Sequence, residues 1–151
     1  MKCTIEGHRF GDQVVPRPLL TEVQQSITRV AVRPSSGKAP EIRAAVLAGL
    51  TASGWSGEVE LSIDSEITIT SAKNRIGLCL QTGNVARIYA DLLKLQKLYA
   101  DGSIIAGIMI VPSAACARTI GSNLVNSTRL LKELKLFERV ITTPLAIFTM
   151  E

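Results

Sequence analysis

The stretch Ile67-Thr68-Ile69-Thr70-Ser71-Ala72-Lys73-Asn74-Arg75-Ile76-Gly77-Leu78-Cys79-Leu80-Gln81-Thr82-Gly83-Asn84 reads as strand, tight turn, strand and the start of a helix. Ile67 and Ile69 alternate with Glu66, Thr68 and Thr70. Ile76, Leu78 and Leu80 alternate with Arg75, Gly77, Cys79 and Gln81. A period of two marks a strand, because successive side chains point to opposite faces of the pleat. The residues Ser71-Ala72-Lys73-Asn74 between the two runs predict a hairpin turn.

Downstream, Asn84 is a candidate N-cap for a helix over 84–100. Val85, Ile88, Tyr89, Leu92, Leu95 and Tyr99 make its apolar stripe, and Arg87, Asp91 and Lys94 lie on another face. Ile104 to Val111 is almost wholly apolar, as in a strand covered on both faces. A helix over 122–136 follows, then a strand from Val140 to Phe148, in which Pro144 points to an edge or a bulge. Upstream, residues 1–18 read as an extended lead-in. Helices are predicted over 19–32 and 40–53, the second opened by Pro40 and stopped by Gly54. Val59, Leu61 and Ile63 alternate with polar neighbours as a further strand. The predicted order is ααβββαβαβ: an α/β domain spanning 1–151, with a central mixed sheet flanked by helices.

The 151 residues suit one domain, and 46% apolar content with only 4% aromatics predicts an aliphatic core. A net charge of +4 permits nucleic-acid binding without requiring it. Cys3, Cys79 and Cys116 form no CxxC pair, and the single His8 cannot complete a zinc site with them. Reduced thiols and the lack of an apolar leader point to a cytoplasmic protein, and no apolar run is long enough to span a bilayer.

Several residue groups resemble those of the BglII/BstYI-type restriction endonucleases, within the PD-(D/E)XK nuclease fold. They are Gly54-Trp55 before the first strand, Lys73-Asn74-Arg75-Ile76 in the hairpin and Gln81-x-Gly83-Asn84 after it. Ala86-Arg87, Asp91-Leu92-Leu93-Lys94-Leu95-Gln96 and Val111-Pro112 extend the likeness, which covers roughly residues 40–150. The resemblance implies a restriction endonuclease-like fold, a DNA partner and a homodimer. It also implies a hairpin carrying an Asp, a Glu nine residues later, and a Gln or Lys after one spacer. In that arrangement the acids and water cage Mg²⁺, a hard ion that takes oxygen ligands and activates water for attack on phosphate.

Counted back from Gln81, the Glu position is Cys79 and the Asp position is Thr70. A hydroxyl and a soft thiol do not replace two carboxylates around Mg²⁺. Glu66 lies four residues up the strand from Thr70, about 13 Å away at ~3.3 Å per residue. Asp64 is further, and Glu22 and Glu41 belong to the early helices. The resemblance gives Asp91 a place on the helix without a metal. No metal or other cofactor is therefore expected.

Cys79 is read as a small inert filler rather than a nucleophile, since nothing in sequence brings His8 to it. Gln81 is read as a relic of the metal site or as a hydrogen-bonding residue within it. Lys73, Arg75, Asn84 and Arg87 are candidate DNA contacts, set against an ordinary solvated surface. Trp55 and Tyr99 are read as packing anchors. Gly121-Ser122-Asn123 is read as an ordinary helix cap rather than a phosphate loop. The chain stops soon after its last strand, which leaves little room for a base-reading element.

The favoured reading is a catalytically degenerate, non-cleaving DNA-binding homologue, acting as a homodimer. The alternatives are a regulatory protein that pairs with or blocks a nuclease, and a Mg²⁺-dependent endonuclease with a rearranged site.

Overall fold

A computed structural model describes residues 1–151. The elements are β1 (Cys3–His8), α1 (Gly11–Val14), α2 (Arg17–Thr28), α3 (Ala39–Ala52), β2 (Val59–Glu60), β3 (Thr68–Ile69), β4 (Ser71–Lys73), β5 (Ile76–Leu80), α4 (Arg87–Ala100), β6 (Ala106–Pro112), α5 (Ala114–Ile120), α6 (Ser127–Leu136) and β7 (Leu145–Met150). Five strands form one mixed sheet in the order β1-β7-β6-β5-β4, and β2 and β3 form a separate small ribbon. β5, β6 and β7 run parallel, while β4 and β1 close the two edges antiparallel.

Each face of the sheet carries its own core. On one side Ile76, Leu78 and Leu80 of β5, Ile108 and Ile110 of β6 and Phe148 of β7 meet Leu19, Val23 and Ile27 of α2 and Ile42, Val46 and Leu50 of α3. On the other, Cys79, Met109, Val111 and Ile147 meet Ile88, Leu92 and Leu95 of α4 and Leu130 and Leu134 of α6. The expected mixed sheet between helices is thus observed, with covering layers on both faces. No helix is long and apolar enough to cross a membrane.

Local chemistry explains the boundaries. Gly54 (φ 81°) stops α3 in the left-handed conformation that favours glycine. The hairpin turn is Asn74-Arg75, not the four residues read from sequence, because Lys73 already pairs with Ile76. Both turn residues have positive φ, 49° and 62°. That is the backbone of a two-residue turn whose twist matches the flanking strands. Ser113 Oγ accepts from Cys116 N at 3.1 Å to cap α5, and Asn126 Oδ1 accepts from Arg129 N at 3.0 Å to cap α6. The cap of α6 is therefore Asn126, beyond Gly121-Ser122-Asn123.

Several expectations need revision. Residues 3–8 of the lead-in are a paired edge strand, and residues 11–14 form a helical turn. The strand read through Leu61 and Ile63 is only Val59–Glu60, and Ile63 is solvent-exposed. α5 adds a helix not foreseen. β7 is interior, because β1 covers it, and Pro144 only precedes it, where its carbonyl accepts from Gly107 N at 2.9 Å.

Candidate functional site

The substituted hairpin positions face each other. Ser71 pairs with Leu78, Ala72 with Gly77 and Lys73 with Ile76, and one further step of that register sets Thr70 opposite Cys79. β4 ends at Ser71 while β5 continues to Leu80. There Thr70 Oγ1 accepts the Leu80 N–H at 3.0 Å, serving the strand that β4 no longer pairs.

Cys79 points into the α4 side of the core and is 1% exposed. Burial is the main force raising its thiol well above the ordinary value of 9.0, and the negative charge of Asp91 adds to it. A backbone hydrogen bond from Thr70 and the positive charges of Lys94 and Arg43 oppose the shift. The thiol is neutral at physiological pH. His8 is no partner for it: its Nε2 meets the Ile141 carbonyl at 2.8 Å on β1, with β7 and β6 between that strand and β5.

Gln81 is buried and fully engaged. Its Nε2 donates to Asp91 Oδ2 at 2.7 Å, and its Oε1 accepts from Gly83 N at 2.9 Å. A Cβ at position 83 would lie 2.9 Å from that same oxygen, so a larger residue there would force the carboxamide to shift. Asp91 is buried too, and Lys94 Nζ reaches its other oxygen at 3.0 Å. Gln81, Asp91 and Lys94 thus form one chain of hydrogen bonds from the end of β5 to the first half of α4.

Around this chain lies a cleft of about 440 Å³. Thr68, Ile69 and Thr70 form one wall, Leu80, Gln81, Thr82 and Gly83 the floor, and Arg87, Ala90, Asp91 and Lys94 of α4 the other wall. Arg43 enters from α3 and donates Nη1 to the Leu80 carbonyl, and Glu58 stands beside Thr68. Cations outnumber carboxylates here: Arg43, Arg87 and Lys94 against Glu58 and Asp91. No three His, Cys, Asp or Glu side chains gather as a group able to hold a metal ion.

The structure sorts the residues singled out from sequence. Thr70, Gln81 and Arg87 line the cleft, whereas Cys79 lies beneath it in the core. Asn84 lies just before α4, where its Oδ1 accepts from Ala86 N at 2.8 Å, and the regular helix begins at Arg87. Lys73 and Arg75 sit at the far end of the hairpin. Lys73 Nζ lies 2.8 and 2.9 Å from the two Glu22 carboxylate oxygens and 2.6 Å from the Ser53 carbonyl. Arg75 Nη2 donates to the Gly102 carbonyl at 2.7 Å. Glu22 is therefore occupied at that end, and Glu41 pairs with Lys38 on the surface. Trp55 is a buried anchor whose Nε1 donates to Glu22 at 2.9 Å.

Arg43 and Glu58 were not found by sequence reasoning. The signal for Arg43 is slight: it is the one cation inside the mostly apolar helix 39–52, next to the buried Ile42.

Comparison with known proteins follows the same lines. No curated protein sequence matches the chain. The crystal structure of restriction endonuclease BglII complexed with a DNA 16-mer matches with a TM-score of 0.87 at 10% identity, over 100% of this chain and 78% of that one. The crystal structure of free BglII matches with a TM-score of 0.75 at 12% identity, over 100% and 80%. At such identities the likeness speaks for the fold. The family model of the restriction endonucleases BglII/BglIII matches residues 3–150. That match spans nearly the whole chain, hairpin and cleft included, and the chain belongs to the BglII/BglIII restriction endonuclease family.

Proposed function

We propose that this protein binds duplex DNA without cutting it. The observation that carries the reading is the state of the hairpin positions where the family's acids are expected. Thr70 spends its hydroxyl on the Leu80 N–H, and Cys79 is a buried neutral thiol. Two other oxygen-bearing side chains of the cleft are already engaged. Gln81 Oε1 holds the Gly83 N–H, and the Asp91 oxygens hold Gln81 and Lys94. Mg²⁺ demands several hard oxygen ligands in near-octahedral array, and this donor set does not fit it. The rearranged-nuclease alternative is thereby disfavoured.

DNA affinity draws support from three features. The net charge is +4, the cleft is lined by more cations than acids, and the family's BglII has been crystallised with a DNA 16-mer. Arg87 lines the cleft and Asn84 follows its lining residue Gly83, and both are assigned to the DNA surface. Lys73 and Arg75 are assigned to holding the hairpin. Homodimerisation belongs to the same reading. Its support is an apolar strip of Tyr89, Leu93, Phe137 and Val140 left on the surface of α4 and the end of α6, and light scattering checks it.

The test is fluorescence anisotropy with labelled duplex DNA, alongside incubation of plasmid DNA with Mg²⁺ or Mn²⁺. Binding that weakens with salt, with uncut plasmid, is expected, because phosphate neutralisation releases counterions. Cut DNA would restore the nuclease reading. No binding at low salt, together with recovery of a stable protein partner, would replace it with the regulatory one.

A further inference from the structure

We propose that the cleft at the end of β5 is a metal-independent phosphodiester clamp, in which the guanidinium groups of Arg43 and Arg87 supply the positive charge that a divalent ion supplies in a cutting site. This rests on the DNA-binding reading and names the ligand chemistry and residues of that same cleft.

The cations of the cleft and the hairpin differ in how free they are to act. Lys94 is neutralised by Asp91 at 3.0 Å. Lys73 is neutralised by Glu22 at 2.8 Å, at the far end of the hairpin. Arg43 and Arg87 form no ion pair. Arg43 gives one N–H to the uncharged Leu80 carbonyl. A guanidinium has five donors in a fixed fork, so four remain for a ligand. Arg87 has no protein partner, and its side chain lies across the floor: its Cδ and Nη1 are 3.9 and 4.0 Å from where a Cβ on Gly83 would stand. Arg43 approaches from α3 and Arg87 from the first turn of α4, so the two flank the floor formed by Leu80 to Gly83. The fork geometry of a guanidinium matches phosphate oxygens in pairs.

The local charge excludes the alternatives. A divalent cation would meet both guanidiniums, with Asp91 already paired to Lys94 and Glu58 the only other carboxylate of the cleft. An anionic phosphodiester meets two unpaired guanidiniums, with Glu58 at the Thr68 wall as the one carboxylate not neutralised by a lysine. The cleft volume of about 440 Å³ lies within the ~300–1,000 Å³ typical of small-ligand clefts, enough for a phosphate with its flanking sugars.

The experiment is anisotropy with a labelled mixed-sequence duplex, in EDTA and again in Mg²⁺ at matched ionic strength. It uses the wild type, Arg43→Ala, Arg87→Ala, both arginines changed to lysine, and Arg17→Ala as an equal loss of charge on the distant α2. Arg43→Ala and Arg87→Ala are each expected to weaken binding about tenfold at low salt, with the slope of log affinity against log salt reduced by about one. The lysine variants keep the slope, because the charge stays, but bind less tightly, because the fork is lost. Arg17→Ala binds like the wild type, and Mg²⁺ does not strengthen binding.

Arg87→Ala is the decisive variant, since that side chain holds nothing in the protein and its loss leaves the fold intact. If wild type binds and Arg87→Ala binds equally well, or if Mg²⁺ is needed for tight binding, the clamp is refuted while the DNA reading stands. If wild type binds no DNA in either buffer, the DNA reading falls and the clamp with it.

Discussion

Thr70 lies just before β4 begins, beside a stretch of β5 that β4 does not pair, so the Leu80 N–H needs an acceptor and the threonine hydroxyl provides it at 3.0 Å. Leu80 is buried, and an unsatisfied buried donor costs about 1–3 kcal/mol. Thr70→Val should therefore destabilise the protein by about that much in chemical denaturation, whereas Thr70→Ser should be close to neutral. A loss as large for serine would show that the methyl group, not the hydroxyl, matters. Cys79 gives a pH signature of defined sign. Burial raises its thiol above 9.0 in the folded state, so the folded chain holds this proton where the unfolded chain releases it. The associated stability is fully present below about pH 9 and declines as pH rises beyond it. Cys3 and Cys116 are shifted in the same direction, also by burial first. Denaturation midpoints should accordingly fall with increasing pH above 9. Mass-spectrometric mapping at pH 8 should find Cys79 alkylated only after unfolding, and rapid alkylation of native Cys79 would contradict the buried placement.

Elements are tied together by polar clasps that link distant parts of the chain. Glu22 on α2 accepts from both Lys73 on β4 and Trp55 after α3, and so fixes the turn end of the hairpin against the helix layer. The pair is only partly exposed, 22% and 28%. Removing one partner of such a pair leaves the other desolvated, at a cost of about 1–3 kcal/mol. Glu22→Ala should lower the melting temperature while leaving DNA affinity close to wild type, because the cleft lies at the other end of β5. On the opposite face, Gln96 of α4 accepts from the Thr142 and Thr143 amides and the Thr143 hydroxyl, at 2.7, 3.0 and 2.8 Å. That clasp sets the start of β7 against α4. Gln96→Leu strands three donors at once and should be the most destabilising of the substitutions considered, read by the same denaturation assay.

For the molecule as a whole, hydrophobic period and residue spacing revealed some features in advance and concealed others. The long amphipathic α4 and the apolar β6 follow from local patterns, whereas Ser71–Lys73, read as a turn, is the strand that pairs with β5, and Thr68–Ile69 pairs with Val59–Glu60 instead. β1 was concealed because its alternation of Cys3, Ile5 and Gly7 with Thr4, Glu6 and His8 contains only one aliphatic strand former, Ile5, and its partner β7 lies at the other end of the chain. That missing edge is also why Pro144 suggested an outer strand. α5 is seven residues rich in alanine, too short and too small to show a stripe. The fates of Lys73 and Arg43 depended on contacts 51 and 37 residues away, with Glu22 and with the Leu80 carbonyl, which no local pattern encodes. The functional reading depends on those same long-range placements. One gel decides it: end-labelled duplex DNA incubated with the protein in Mg²⁺, half of each sample run native and half denatured. Binding without cleavage should give a shifted native band, weakened by added salt, and full-length strands on the denaturing gel. Cut strands, or duplex left unshifted at low salt, would contradict it.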